Sequence, residues 1–206
     1  MSATELRQHP LSLGSSIPPL VTKLTKWPIH SSIPALDPEC PRLPNSLVAE
    51  IDEFADALTD RQTRLLAYWH ERRGNRDMPS RRDLDPADIR SLLPNLVLID
   101  VAEGCTDFRF RLIGTSVAGN CSRDHTGKRF SELDGYGSRG YDWNNSLNAA
   151  TRRRPRIGHL PYTGPLRSIT AHHNLTLPLS SDGWNVDMIL CVSEFERQIT
   201  GGTELV

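Results

Sequence analysis

The spacing of apolar residues changes near position 95, and that change divides the chain. Upstream of it, apolar residues recur every three or four positions. Leu47, Val48, Ile51, Phe54, Ala55 and Leu58 form one such stripe and predict an amphipathic helix over 46–58. Thr59 and Gln62 have the T-x-x-Q spacing of a capping box, in which hydroxyl and amide each satisfy a backbone N–H that a helix start leaves open. They predict a second helix carrying Leu65, Leu66 and Trp69 on one face and stopping near Gly74. Pro79 breaks the chain. Asp85-Pro86 then predicts a short third helix ending at Leu92-Leu93-Pro94.

Downstream, the period falls to two. Residues 96–101 are a continuous apolar run, and 104–107 supply a turn. Phe108, Phe110 and Leu112 alternate with Arg109, Arg111 and Ile113, so 108–115 reads as a strand with its aromatics on one face and Arg111 on the other. The polar, glycine-rich stretch 116–140 has room for short helices only. Residues 141–153 allow one full helix with Trp143, Leu147 and Ala150 aligned, and Pro155 lies past its end. Three strands follow, over 156–162, 169–179 and 186–195. Leu175, Leu177 and Leu179 share a face of the second; Val186, Met188, Leu190 and Val192 share a face of the third. This order is an α+β layout: a five-stranded antiparallel sheet with central short helices, preceded by an N-terminal helical segment. The expected divisions are a proline-rich tail (1–44), the helical segment (45–94), the sheet domain (95–197) and a polar C-terminal tail (198–206). The first tail holds eight of the fifteen prolines and a single aromatic, Trp27. It is either a spacer or a partner-binding arm.

The order of elements and several local motifs resemble a bacterial single-domain PAS family, whose fold is a PAS-like five-stranded sheet. Phe110-Arg111-Leu112-Ile113-Gly114-Thr115 is similar to the second strand of a PAS subfamily in which a helical segment reading W…P…D-P…LLP precedes the sheet. The corresponding residues here are Trp69, Pro79, Asp85, Pro86, Leu92, Leu93 and Pro94. Thr126-Gly127-Lys128 with Phe130 and Leu133 resembles the turn before the central helices. Leu177-Pro178-Leu179-Ser180, Asp182-Gly183 and 186–190 resemble the last hairpin. The resemblance implies a cupped sheet that encloses a small-molecule ligand, with signalling through dimerisation or partner contacts. Few residues follow the last strand, so the expected regulator acts in trans on a separate signalling protein. A homodimer is expected, with the stripe of 46–58 either covering its partner or folding back on its own domain.

Composition narrows the partners. The net charge is −1, with 37% hydrophobic and 24% charged residues. From residue 96 onward there are 12 Lys/Arg and 12 Asp/Glu. That balance disfavours nucleic acid and anionic membranes as partners. No apolar run approaches the ~20 residues a bilayer requires. Gly14, Ser15, Ser16, Pro18 and Pro19 interrupt the one N-terminal candidate, so a cytoplasmic protein with four reduced cysteines is expected.

Candidate chemistry is sparse. Gly119-Asn120-Cys121 is similar to the Asn-Cys-Arg core of flavin photosensors, but it precedes the 126–128 turn instead of following it, and flavin is not expected. Haem-binding relatives use a histidine on the central helix. Residues 141–153 contain none, so haem is not expected either. Cys121 and His125 are four apart, a spacing that would pair thiol and imidazole on a helix. His172 and His173 point to opposite faces of their strand. His173 shares the face of Leu175, Leu177 and Leu179 and is the pocket candidate, or else a core histidine bonded to a carbonyl. Arg111 serves an ion pair with an acid of the N-terminal helices or anchors a ligand carboxylate or phosphate. Tyr141, Trp143 and Tyr162 bring amphipathic rings to the cavity mouth, and Met188 adds a ligand-facing apolar contact. Arg152, Arg153, Arg154 and Arg156 complement a helix end. No three or four residues have metal-ligand spacing, and no nucleophile, base and stabiliser form a set, so neither a metal site nor an enzyme is expected. Two readings remain: a ligand-responsive sensor, and a ligand-free adaptor or dimerisation module.

Overall fold

The computed structural model describes residues 58–206 apart from 122, 135, 137–139, 163–165 and 200, and apart from the side chains of 160 and 161. The expected proline-rich tail and nearly all of the helix over 46–58 lie outside the described residues. Helix α1 spans Asp60–Arg73. Thr59 caps it as its spacing predicts: the hydroxyl accepts from Gln62 N–H, and the Gln62 side chain accepts from Thr59 N–H. The helix stops at Gly74.

The sheet comprises β1 (Leu96–Val101), β2 (Phe108–Ile113), β3 (Arg156–Pro161), β4 (Ile169–Leu179), β5 (Met188–Ile199) and β6 (Gly202–Leu205). Its spatial order is β2-β1-β5-β4-β3, antiparallel throughout. β5 is long enough for two partners on one edge: β1 pairs with its first half and β6 with Glu196–Ile199. The region 198–206, expected as a tail, is therefore the end of one strand and all of another. Gly201, at φ 101°, makes the turn. Between β2 and β3 lie the short helix α2 (Thr115–Asn120) and the longer α3 (Tyr141–Arg152). No helix among the described residues is long and apolar enough to cross a membrane.

Both faces of the sheet are covered. Leu96, Leu98, Leu175, Leu177, Leu179, Leu190 and Val192 pack against Leu65, Leu66, Trp69, Met78, Leu84, Ile89 and Leu92 of the N-terminal helical segment. Val97, Ile99, Phe108, Phe110, Ile189, Cys191 and Phe195 pack against Val117, Phe130 and Ala150 of the central segment. Each fully buried Leu or Phe contributes roughly 1.5–3 kcal/mol relative to exposure.

The W…P…D-P…LLP residues dock the N-terminal segment. Trp69 Nε1 donates to the Pro178 carbonyl at 2.9 Å. Pro178 has no N–H to offer. It sits beyond the last residue of β4 that β3 pairs, where the ladder requires none. Ser180 N–H donates to the Pro79 carbonyl at 3.0 Å. Tyr68 Oη accepts from Asp85 N–H at 2.8 Å. Leu93 and Pro94 pass so close to Gly114 that a Cβ there would stand 2.4 and 2.3 Å from their carbonyl oxygens. Only glycine fits, which joins the LLP motif to the F-R-L-I-G-T motif.

Two expectations differ in detail. The third helix is a run of turns held by i→i+3 bonds, with Asp88 N–H to Asp85, Leu92 to Ile89 and Leu93 to Arg90, followed by a 3-10 turn at Leu93–Asn95. Asp85 draws Ala87 N–H to its own carboxylate, and Pro94 disfavours α geometry at Leu93. The alternation of β2 also slips. The register shifts between Leu98 and Ile99, which pair with Leu112 and Phe110. Arg111 is the extra residue of a β-bulge, so Leu112 turns outward, 47% exposed, and Ile113 turns inward instead.

Candidate functional site

The layer between α3 and the sheet combines an aromatic wall with a buried polar row. Phe108, Phe110, Phe130 and Tyr136 meet ring to ring at centroid distances of 4.6–5.6 Å, and Trp143 stands edge-on to Phe108 at 5.2 Å. Beside this wall, alternate residues of β4 present His172, Asn174 and Thr176 toward α3. An amphipathic strand puts such residues in water; here α3 covers them. Asn145 Nδ2 donates to Thr176 Oγ1 at 2.6 Å, and Cys191 Sγ lies 3.7 Å from the same hydroxyl.

Tyr141 reaches over β3 to this row. Gly158 pairs with Asn174, and a Cβ on it would stand 1.5 Å from Tyr141 Oη and 2.6 Å from Asn174 Oδ1. The missing side chain is thus what brings the phenol and the amide together. Asn174 Oδ1 and His172 Nε2 are buried without hydrogen-bond partners. Such atoms cost about 1–3 kcal/mol each unless a water or ligand satisfies them. His172 stacks on Phe195 at 4.8 Å. Tyr162 Oη closes the end of the row by donating to the Asn120 carbonyl at 2.7 Å, and Asn120 Oδ1 accepts from Arg197 at 3.0 Å.

The electrostatics follow from burial. Asp142, in the first turn of α3, is lifted to about 6 by burial. Burial and then its field push Cys121 up to about 11 and Tyr141 up to about 12, and raise Tyr136. Burial also takes Cys191 to about 12. Burial, then His173 and His159, hold His172 down to about 4. Near neutral pH the row therefore offers protonated phenols and thiols, a neutral imidazole and an amide. It is built for hydrogen bonding, and neither thiol is activated.

The structure divides the six predicted site residues. Tyr141, Trp143 and Tyr162 lie on the α3 side, at Gly158, Phe108 and Phe195 respectively. His173 and Met188 lie on the opposite face, because the leucine row that His173 shares packs on α1 and not on the central helices. His172 occupies the interior position instead. Arg111 lies exposed at the bulge, where its Nη1 and Arg109 Nη2 pair with Asp100 at 3.0 and 2.6 Å; its partner is a neighbouring strand, not the N-terminal helices. Cys121 caps the end of α2, while His125 stacks on Phe110 and meets Tyr136 edge-on. Arg153, left-handed at the end of α3, bonds Asp77 at 2.9 Å and the Gly183 carbonyl at 3.1 Å and covers the Trp184 ring. A shallow groove of about 260 Å³ at the turn end of the β1–β2 hairpin is lined by Asp100, Asp107, Arg109 and Arg129, among others. It shares Phe108 with the aromatic wall but none of the polar row.

Sequence reading did not single out Asp142, Asn145, Gly158, His172, Asn174 or Thr176 as site residues. The alternation of β4 was the available signal, but nothing local says that its polar face is covered.

A family model described as PAS domain matches residues 59–182, more than half of the chain, from the cap of α1 to the turn before β5. No curated protein and no solved structure matches.

Proposed function

Since the chain belongs to the PAS domain family, its role is sensory or regulatory, and we propose that it reads a small molecule held between α3 and β3–β5. The observation that carries this reading is the pair of unpartnered buried atoms, Asn174 Oδ1 and His172 Nε2, set beside the Tyr141 phenol and next to the aromatic wall. A compact ligand with an apolar ring and one or two hydrogen-bonding groups satisfies them. Flavin and haem fit less well, since α3 carries no histidine and Gly119-Asn120-Cys121 precedes the 126–128 turn. The readout passes in trans to a separate signalling protein, with the chain acting as a homodimer in the cytoplasm and catalysing nothing itself. Arg153 gives a mechanical route: it ties the end of α3 to Asp77, so a ligand that displaces α3 also pulls on the N-terminal segment.

Native mass spectrometry of the purified full chain is the test. The expected result is a bound metabolite-sized mass that denaturation releases. Asn174→Leu should weaken its retention about 10-fold, the worth of one well-made hydrogen bond. Absence of any bound mass, together with no thermal shift across a metabolite library, would sink the sensor reading and leave a ligand-free adaptor.

A further inference from the structure

Three metal-ligand side chains meet on the α1 face of the sheet, away from the polar row. His159 on β3 and His173 on β4 are directly paired across the strands, with rings stacked at 4.0 Å and 18°. Glu196 on β5 stands one diagonal step away, opposite Ala171. Its Oε2 lies 3.5 Å from His173 Nε2 and 4.0 Å from His159 Nε2. One ligand atom from each of the three lies within 4.8 Å of the others.

These separations suit a shared cation better than a direct hydrogen bond. Both exceed the about 2.7–3.2 Å of a good N–H···O bond. An ion about 2.0–2.2 Å from each donor sets tetrahedral donors about 3.3–3.6 Å apart. The His173–Glu196 pair already has that spacing; the His159 ring, stacked almost parallel on His173, must turn out of the stack for its Nε2 lone pair to meet the same ion. The frame is rigid, since the three residues come from adjacent strands in fixed register. The site is open to an ion, with side-chain exposures of 39% for His159, 29% for Glu196 and 20% for His173.

We propose that His159, His173 and Glu196 form a binding site for a divalent transition-metal ion of the zinc class, with a fourth position left to water or an incoming ligand. Two imidazoles and one carboxylate are the donor set of such ions; calcium and magnesium require more oxygen donors than the three residues provide. The bound ion clasps edge strand β3 to β4 and β5. It also sits two residues along β5 from Glu194, which holds Thr59 and Arg61 at the start of α1.

The test titrates Zn²⁺ into tag-free, chelator-stripped full chain by calorimetry. His9, His30 and Cys40 lie outside the described residues, so the readout is the difference between variants and not total uptake. His159→Gln and Glu196→Gln are each expected to weaken one Zn²⁺ equivalent by about 10–100-fold or more, and His125→Gln to leave it unchanged. Co²⁺ in place of Zn²⁺ should give visible d–d absorption that His159→Gln removes. His159 lies exposed on an edge strand, so its variant is expected to fold, and circular dichroism verifies it. No Zn²⁺ binding by the full chain, or binding and Co²⁺ spectra unchanged in both variants, would overturn the site.

Discussion

The two faces of the sheet solve different problems with the same strands. The α1 face is closed by leucines and one tryptophan whose Nε1 has its partner; its unpaired buried atoms, Gln62 Nε2 and His173 Nε2, lie outside that apolar cluster. The α3 face carries Asn174 and Thr176 to a similar depth, with His172 half-buried beside them, and Asn174 and His172 each keep an unpaired atom. Unpaired polar groups destabilise, so the polar row at the heart of the second face costs stability that the leucine cluster of the first offsets. That division is what a sensory domain requires: one layer to hold the fold, and one poised to exchange contacts with a ligand.

The sharpest way to break the contrast is on the stable face. Trp69→Ala removes a buried ring and strands the Pro178 carbonyl, and should cost about 3–5 kcal/mol in urea unfolding. An effect below about 1 kcal/mol would mean that α1 does not hold the sheet.

On the α3 face the largest effects should depend on pH. Asp142 titrates at about 6 in the fold, above its ordinary value, so the folded state keeps a proton that the unfolded state has lost. Its contribution is present below about 4 and lost as pH rises to 6. His172 is the reverse: held down to about 4, it stabilises above about 6.5, and that contribution is lost as pH falls toward 4. The two slopes oppose each other. Asp142→Asn should therefore raise stability at pH 7 by about 1–3 kcal/mol and steepen the loss on acidification from 6.5 to 4. His172→Gln should unmask the opposite slope. Unfolding measured at pH 4, 5, 6 and 7 decides it, and parallel curves for wild type and both variants would contradict the burial of these groups.

Gly158→Ala tests the close approach on that same face. Its Cβ collides with Tyr141 Oη, and the variant should lose about 1–3 kcal/mol. Tyr141→Phe in the same chain should restore part of the loss, and additive losses would show that the two residues do not touch. The smallest effect belongs to neither face. Arg111→Ala, at the exposed bulge, should change stability by less than about 1 kcal/mol and leave ligand retention unchanged. A large loss of retention there would move the site to the hairpin.

Local sequence was a good guide wherever one element suffices. The capping box of Thr59 and Gln62, the stop at Gly74, the full helix after 140 and the span of β4 are all written in neighbouring residues and appear in the fold. The β2 alternation misled because the bulge at Arg111 is set by pairing with β1, which sequence neighbours do not report. β6 was missed because four mostly polar residues carry little strand signal until β5 offers them an edge. His159, His173 and Glu196 have no metal-motif spacing, and only strand register brings them together.

The sequence by itself determined the period of each segment, the α+β order and the motif pairs that identify the family, because helix caps, turns and alternation are short-range effects. It also determined that His172 and His173 face opposite ways. Only the tertiary structure decided which way was inward. Alternation defines two faces without naming what covers them, and the covering layers, α1 on the leucines and α3 on the polar row, come from residues tens of positions away.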